Sequence, residues 1–289
     1  KSLEYIAYNL IYLKHRVVMR RVLFSLLLLL TMVISASAQR SRSVGVAYYN
    51  VDKLYDTIPS TFYDDETYTP QGKLRWDSEK YERKISNIAQ VLDSMRMPIV
   101  MLYGVENEAV VRDIVERCAG DYAYIHRTQD YSDGLDFALL YYGDIFFPER
   151  VTSWHKALCV EGSIAGQEVA IIGNNRSSSI GVLINELGLR SGDSKIVILG
   201  SPNKLNFDKY GLSDHLAQAS HAGYGNRVRG NRWEMYDRVI SNLCNTTSCG
   251  VYIKHWLLSD THTPKSTFEK GKYSGGYSNF LPVYIYLDN

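Results

Sequence analysis

The stretch Gly-Gly-Tyr-Ser-Asn-Phe-Leu-Pro-Val-Tyr-Ile, residues 275–285, is the part of the chain that decides the fold. Its glycine pair predicts a turn, because glycine adopts backbone conformations that other residues rarely adopt. Pro282 follows, and proline is tolerated at the first residue of a strand. Apolar residues then alternate with tyrosines, which is the pattern of a half-buried strand. The stretch therefore predicts a β-strand whose leading loop lies at the rim of a sheet.

The composition is that of a globular protein with a sizeable core. The chain has 289 residues, 45% of them hydrophobic, and contains 23 tyrosines. This length suits one large domain or two small ones. The net charge of +1 is too small to create the strong positive field of a dedicated nucleic-acid-binding protein. The one basic cluster, Arg227, Arg229 and Arg232 in a glycine-rich loop, is small, and a solvated loop face explains it more simply than a nuclease site.

The N-terminal region has the layout of a secretory signal peptide. Met19 and two arginines precede an apolar run at 22–30, and an Ala-x-Ala sequence ends at Ala38. The run is short for a membrane span. We therefore predict a signal peptide at 19–38, secretion or periplasmic localisation, no membrane span in the mature protein, and one domain at 39–289. Residues 1–18 are interpreted as upstream sequence outside the translated protein, with an amphipathic anchor as the alternative.

Four cysteines lie beyond the signal region, at Cys118, Cys159, Cys244 and Cys249. An oxidising compartment permits disulfides. Cys244 and Cys249 flank a short polar segment that suits a turn, so they are the candidate pair, and buried free thiols are the equally open alternative. The sequence has no two CxxC motifs, which argues against a zinc knuckle.

The rest of the chain alternates between helical and strand periodicity. Apolar residues at helical spacing predict helices at 78–95, 107–118 and 180–189. Apolar or alternating runs predict strands at 44–49, 98–103, 122–126, 135–142, 151–161, 168–173, 195–199, 233–241, 251–258 and 282–287. Residues 202–231 are predicted to be mostly loop. Because hairpins are frequent, the pattern predicts an α/β protein with two mixed sheets packed face to face and helices outside.

Six segments in chain order resemble motifs of the endonuclease/exonuclease/phosphatase superfamily, in the form found in secreted bacterial members. They are Val-Ala-Tyr-Tyr-Asn-Val-Asp-Lys-Leu-Tyr-Asp (46–56), Gly-Val-Glu-Asn (104–107), Gly-Leu-Asp-Phe-Ala-Leu-Leu-Tyr (134–141), Leu-Gly-Ser-Pro-Asn (199–203), Trp-Glu-Met-Tyr-Asp-Arg-Val-Ile-Ser (233–241) and the tail. The similarity covers residues 43–287. It implies a four-layer α/β/β/α sandwich with a site at one rim of its sheets, and phosphoester hydrolysis with Mg²⁺.

The resemblance assigns site roles to four residues that keep the family's residue type. Asn50 and Glu106 match the asparagine and the glutamate of the metal site. Asn203 matches an asparagine that orients the phosphate and the attacking water. Asp237 matches the aspartate that orients the catalytic histidine, and Arg232 or Arg238 lies near enough in sequence to serve as its new partner. Mg²⁺ is usually held through carboxylates and substrate phosphates, so Glu106 with neutral amides implies a weak metal site.

Three positions depart from the family pattern at the points where protons are moved. Ser201 stands in place of the aspartate that polarises the water, Asn279 in place of a carboxylate, and Phe280 in place of the catalytic histidine. Serine has no basic group near neutral pH, and phenylalanine cannot carry a proton. Each missing acid or base costs about 10²–10⁴ in rate. The losses predict a catalytically impaired phosphoesterase homologue.

A ligand-binding cleft is nevertheless expected to remain. Asn174 or Asn175 occupies the place of the family's middle histidine and could donate one hydrogen bond to a phosphate. Arg176 could meet an anion, and Asn50 completes the predicted ligand-binding set. The resemblance therefore implies a phosphorylated small molecule, a nucleotide or a glycan as the partner of this cleft.

Two functional interpretations remain open. The first is a secreted protein that binds such a ligand and does not hydrolyse it, with no cofactor needed. The second is an active phosphodiester or phosphomonoester hydrolase that uses Mg²⁺ and a rearranged site, with Glu106 beside Asp136 or a loop histidine such as His221. A purely structural or partner-binding role would suit the tyrosine content, but no sequence feature specifies a partner.

Overall fold

The computed structural model describes Met19 and residues 43–129, 133–154, 156–175, 180–186, 188, 195–202, 207–243 and 246–288. The chain divides into two units, Lys1–Arg42 and Ser43–Asn289, and the second carries every element discussed below. The predicted signal segment beyond Met19, together with Arg176, Asn203 and Cys244, lies outside the described residues. Among the helices within these ranges, none combines the length and the apolar character that a membrane crossing requires.

The elements alternate along the chain as the periodicity predicts. The strands are β1 (Val44–Leu54), β2 (Ile99–Val105), β3 (Ala123–His126), β4 (Asp136–Tyr141), β5 (Phe146–Trp154), β6 (Ala157–Ile164), β7 (Gln167–Asn175), β8 (Lys195–Ser201), β9 (Ser213–Asp214), β10 (Arg227–Arg229), β11 (Arg232–Glu234), β12 (Arg238–Ser241), β13 (Thr246–Val251), β14 (Phe268–Glu269), β15 (Lys272–Tyr273) and β16 (Val283–Leu287). The α-helices are α1 (Ser78–Met95), α2 (Glu108–Arg117), α3 (Ile180–Glu186) and α4 (Ala217–His221), and 3₁₀ turns cover Glu66–Tyr68, Asp208–Tyr210 and His255–Leu257.

Two six-stranded mixed sheets form within the described residues. The first has the order β13-β16-β1-β2-β4-β3, and the second has the order β5-β6-β7-β8-β12-β9. Each contains one parallel pair, β1 with β2 and β7 with β8, whereas the other neighbours are antiparallel. Two small ribbons, β10-β11 and β14-β15, stand apart from the sheets.

The two sheets pack face to face because side chains alternate across each strand. Val46 and Met101 of the first sheet and Val160 and Val197 of the second share one buried cluster between the sheets. Neighbouring positions on the same strands point outward, and Ala47 of β1 belongs to a different cluster on the outer face of the first sheet. Every residue of β1 up to Val51 is buried, as expected for a central strand covered on both faces.

Helices cover both outer faces and complete the four layers. Helices α1 and α2 pack on the first sheet through side chains such as Ile88 and Ile114. Helix α3 packs on the second sheet through Ile180 and Ile184. The predicted α/β/β/α sandwich is therefore confirmed.

Capping residues fix where the first two helices begin. Asp77 accepts the backbone N–H of Lys80 at 3.0 Å, and helix α1 starts one residue later, as predicted. Asn107 accepts the backbone N–H of Val110 at 3.0 Å and caps α2. Because β2 ends at Val105, Glu106 alone lies between this buried strand and the cap of α2.

Three strand predictions are wrong in their boundaries. The run 151–161 spans the end of β5 and the start of β6, which are paired as a hairpin around Lys156 at φ 65°. The run 233–241 is divided between β11 and β12, which belong to different sheets. The run 251–258 contains only the end of β13 and then a 3₁₀ turn. In each case pairing with a distant strand, which local periodicity does not report, sets the boundary.

The loop prediction for 202–231 is also only partly right, since β9, α4 and β10 lie within it. The cysteines Cys118, Cys159 and Cys249 are free thiols. Cys249 donates through Sγ to the backbone oxygen of His215 at 3.4 Å. Of the two alternatives for Cys249, the structure thus has the free thiol.

Candidate functional site

The carboxyl ends of the two parallel strand pairs lie at one rim of the sandwich. In the first sheet, Asn50 lies near the end of β1, and Glu106 follows the neighbouring strand β2. In the second sheet, β7 and β8 pair Asn175 with Ser201 at their last residues. Parallel strands present their carboxyl ends at the same edge, so residues from four separate motifs meet there.

Close contacts join the two sheets and the tail at this rim. A Cβ atom on Gly200 of β8 would lie 3.2 Å from the Tyr48 ring of β1, so the sheets approach each other closely. Ser278 of the tail donates through Oγ to the backbone oxygen of Asn50 at 2.7 Å. The tail is therefore fastened to the end of β1.

Asn50 is used by its own turn. Its side chain is buried, and Oδ1 accepts the backbone N–H of Asp52 at 3.0 Å. This bond supports the left-handed backbone of Asp52, at φ 57°. Asp52 in turn accepts a bond from Asn279 Nδ2 to Oδ2 at 2.5 Å. The oxygen that the family resemblance assigns to a metal is here occupied by a backbone donor.

Glu106 is the carboxylate that the resemblance assigns to the metal site, and both of its oxygens accept hydrogen bonds. Oε2 accepts the backbone N–H of Asp56 at 2.5 Å, and Oε1 accepts the Tyr63 hydroxyl at 2.9 Å. The side chain is only 3% exposed. Burial raises the pKa of the Glu106 carboxyl to about 7, although the bonds from Asp56 and Tyr63 oppose the shift. Glu106 can therefore exist in both protonation states near neutral pH.

Neutral groups line the ends of β7 and β8. Ser201 donates through Oγ to Asn175 Oδ1 at 3.2 Å, so the serine that replaces a family aspartate is bonded to an asparagine. Asn174 is fully buried, and neither atom of its amide has a hydrogen-bond partner among the residues that the structure covers. None of these groups can accept a proton from water at neutral pH.

Asp237 precedes β12 and is held by an asparagine that sequence reasoning missed. Asn226 donates through Nδ2 to Asp237 Oδ2 at 2.7 Å and accepts the Asp237 backbone N–H at 3.1 Å. The sequence had offered Arg232 or Arg238, but Arg232 is exposed at the turn of its ribbon and Arg238 pairs with Asp214 at 3.0 Å. That expectation is wrong, because the glycine-rich loop folds back and brings Asn226 under the carboxylate.

The Asp237 carboxyl is the more strongly perturbed group of the site. It is 1% exposed, and Oδ1 has no hydrogen-bond partner within the described part of the chain. Burial raises its pKa to about 7, while the bond from Asn226 and the charge of Arg227 oppose the shift. The acid that orients a histidine in the family therefore has an amide as its partner here.

Phe280 fills the position that the resemblance assigns to the catalytic histidine. Its ring centroid lies 5.3 Å from that of Tyr236, and its backbone bridges to Arg227. Asn279, next to it, faces Asp52 and not a metal ligand set. An aromatic contact thus replaces the proton-carrying group at this point of the rim.

A histidine–aspartate pair joins β3 and β4 of the first sheet, where Asp136 faces Val105, the last residue of β2. His126 Nε2 and Asp136 Oδ2 are 3.2 Å apart and both side chains are buried. Asp136 also accepts the Gln129 backbone N–H at 3.1 Å, and burial raises its pKa. Asp136 therefore interacts with His126 and Gln129. His221, the other residue considered for a rearranged site, is exposed at the end of α4.

The donor set does not fit Mg²⁺ as it stands. Among the described residues no group of three His, Cys, Asp or Glu side chains is placed to hold a metal ion. The oxygens of Glu106 and of Asn50 that a metal would need accept bonds from Asp56, Tyr63 and Asp52. A metal would share these oxygens with the donors that already bond to them.

Three contributors to the site carry no sequence signal of their own. Tyr63 and Asn226 lie in loops without periodicity, and Arg227 was grouped with two solvated arginines. In the structure, Asn226 follows Gly225, where an added Cβ would lie 2.4 Å from the Glu234 backbone. The loop that carries Asn226 therefore packs closely against the backbone of β11.

The fold and the rim together define an α/β/β/α sandwich of the phosphoesterase type. A sequence model of the endonuclease/exonuclease/phosphatase family matches residues 45–206, which is more than half of the chain. The protein therefore belongs to this family. No curated protein sequence matches the chain.

Solved structures at low identity share the fold. A humanized TDP2 from D. rerio is 11% identical with a TM-score of 0.55, and the match covers 86% of this chain and 99% of that one. A truncated Caenorhabditis elegans TDP2 is 13% identical with a TM-score of 0.54, covering 86% and 98%. A mannosyl-6-phosphatase from Bacteroides thetaiotaomicron is 16% identical with a TM-score of 0.53, covering 85% and 100%. At these identities the likeness concerns the fold alone.

Proposed function

We propose that the protein binds a phosphorylated ligand in its rim cleft and does not hydrolyse it. One observation carries the proposal: Asp237, which would orient a catalytic histidine, is bonded to Asn226, while Phe280 occupies the histidine position. Ser201 bonded to Asn175 supports it, because this pair supplies no base for the attacking water. The rim keeps polar groups, but Phe280 and Ser201, at the positions of the family's histidine and water-polarising aspartate, cannot transfer protons.

The ligand is a phosphorylated small molecule, a nucleotide or a phosphorylated glycan. The fold is shared with a mannosyl-6-phosphatase and with a TDP2 solved with a single-stranded DNA product, so it accommodates phosphate-bearing compounds of different kinds. The net charge of +1 supports a small ligand over a long polyanion, because binding a nucleic-acid backbone depends on neutralising many phosphates.

We expect no phosphate release by the native protein from sugar phosphates, nucleotides or single-stranded DNA with Mg²⁺ or Mn²⁺ present. The reason is that Phe280, Ser201 and Asn279 replace the histidine and two carboxylates of the family together, and residues that act as a unit in a mechanism cannot be lost one by one without losing the whole. Phosphate release and product sizes measure this directly. Glu106→Ala is expected to leave the background rate unchanged.

The second candidate function is an active metal-dependent hydrolase with a rearranged site. The observation that favours it is the buried Glu106, whose pKa of about 7 suits proton transfer near neutral pH. Turnover that Glu106→Ala abolishes and that Glu108→Ala, a change of an exposed carboxylate two residues away, leaves intact would establish this second function in place of the first. Calorimetric titration with Mn²⁺ on the same two variants tests the metal site independently of activity.

We also propose that the protein is exported through the segment 19–38. The basic start, short apolar run and Ala-x-Ala end support this. Expressed with this segment in a bacterium, the protein is expected outside the cytoplasm with Gln39 as its first residue, as N-terminal sequencing would show. Recovery of uncleaved protein in the cytoplasm alone would contradict export.

A further inference from the structure

The ribbon of β10 and β11 places one arginine against the tail. Arg227 pairs with Glu234 across the ribbon, and its backbone forms an antiparallel bridge with Phe280. The Arg227 side chain is 17% exposed. Arg229 and Arg232, which pair with each other at the end of the ribbon, are exposed. Of the three arginines clustered in the sequence, Arg227 is thus the enclosed one.

The Arg227 guanidinium is held in one orientation. Its central carbon lies 3.7 Å from the ring centroid of Tyr236 and 5.7 Å from that of Phe280. Nε and Nη2 donate to a single oxygen, Glu234 Oε2, at 3.2 and 3.0 Å. Nη1 has no hydrogen-bond partner among the described residues. Ring stacking and one carboxylate oxygen therefore fix the plane and leave N–H donors unused.

The charge of Arg227 acts on the site. It lowers the pKa of Asp237 against the effect of burial. Phe280, whose ring it faces, occupies the position of the lost histidine. A guanidinium stays protonated throughout the physiological range, so it binds anions but does not transfer protons.

We propose that Arg227 is the phosphoryl-binding residue of the rim cleft and that its ligand is a dianionic phosphate monoester. The inference rests on the proposed function and names the ligand class of the same site. Glu234 offsets part of the guanidinium charge, and the attraction that remains scales with the charge of the ligand, so a monoanion such as a phosphodiester gains about half as much as a dianion. A dianion keeps a net attraction and accepts the unused N–H donors in charge-assisted hydrogen bonds.

The test is a calorimetric titration of the full chain at pH 8 and constant ionic strength, with inorganic phosphate, glucose 6-phosphate and dimethyl phosphate as probes. The two dianions are expected to bind, and the monoanionic diester is expected to bind at least about tenfold more weakly. Arg227→Gln is expected to weaken phosphate binding about tenfold to a hundredfold, the range for hydrogen bonds to a charged group. Arg229→Gln, the matched change on the exposed side of the ribbon, is expected to stay within about twofold.

Two further variants test how the guanidinium and its carboxylate partner contribute to phosphate binding. Arg227→Lys keeps the charge but loses the planar guanidinium that stacks on Tyr236, so a partial loss of phosphate affinity is expected. Glu234→Gln removes the competing carboxylate, and tighter phosphate binding is expected. Urea unfolding of each variant shows that the compared proteins are folded.

The outcomes distinguish this inference from the proposed function. Unchanged phosphate affinity in Arg227→Gln, or an equal loss in Arg229→Gln, overturns the role of Arg227 alone. Equal affinity for dimethyl phosphate overturns the ligand class. If the native protein hydrolyses glucose 6-phosphate and Arg227→Gln raises KM at least tenfold with kcat unchanged, the proposed function fails and this inference stands. If the native protein binds none of the probes, both fail.

Discussion

Asp237→Asn is expected to be more stable than the native protein at pH 7.5. The carboxyl is 1% exposed, and its Oδ1 has no partner among the described residues. Burying a charge without full pairing is costly, and burial raises the pKa of this group to about 7. An amide keeps an oxygen that accepts the Asn226 bond and removes the buried charge. The gain is on the order of 2–4 kcal/mol in the free energy of unfolding.

The stability difference between Asp237→Asn and the native protein is expected to depend on pH. The folded pKa of Asp237 lies above the unfolded value, so between about pH 4 and 7 the folded state holds a proton that the unfolded chain releases. The stabilising contribution is complete below the unfolded pKa and is lost as pH rises through the folded pKa. The stability difference between Asp237→Asn and the native protein is therefore expected to shrink from pH 7.5 to pH 5.

Urea unfolding of both proteins at the two pH values measures the difference. Glu106→Gln is the matched comparison, because burial raises the Glu106 pKa to about 7 as well, but both of its oxygens accept hydrogen bonds. A smaller gain is expected there, since the amide cannot satisfy both donors. A variant Asp237→Asn that is less stable than the native protein at pH 7.5, or a difference that grows at pH 5, would contradict the account.

Sequence periodicity predicted the bounds of an element correctly where contacts between nearby residues determine them. Helix α1 has the predicted bounds because its apolar spacing and its Asp77 cap are both short-range features. The run 151–161 looks like one strand, yet the chain reverses at Lys156, where the neighbouring residues remain strand-like in composition. What separates the two cases is pairing across the sheet, which depends on residues far away in sequence.

The residues of the candidate site also fall into two groups, those that a local motif predicts and those that it does not. Asn50, Glu106 and Asp237 were predicted because they match motif positions at strand ends, and the structure places all three at or beside the rim. The hydrogen-bond partners Tyr63 and Asn226 were not predicted, since each reaches the rim from an irregular loop. A motif names the groups that would carry chemistry, but the bonds that engage those groups depend on loop paths without periodicity.

Lys84→Ala is expected to lower the free energy of unfolding by about 2–4 kcal/mol. The helical pattern places Lys84 among the charged residues between apolar positions, yet the side chain is 1% exposed. Its Nζ donates to Thr267 Oγ1 at 2.6 Å and to the backbone oxygen of Tyr277. Truncation leaves a cavity and two buried acceptors without their donor. Because Tyr277 directly precedes the tail residue bonded to Asn50, the rim is expected to loosen as well.

Two controls and a pH series make the Lys84 prediction specific. Arg83→Met, on the exposed face of the same helix, is expected to change stability by less than about 0.5 kcal/mol. Lys84→Met keeps most of the volume and is expected to fall between Lys84→Ala and the native protein. Burial lowers the pKa of Lys84 to about 8, so between about pH 8 and 10.5 the folded state binds fewer protons than the unfolded chain. The native protein should therefore gain stability relative to Lys84→Met from pH 7.5 to pH 9.5. A relative loss of stability over this range would show that burial does not lower the pKa of Lys84.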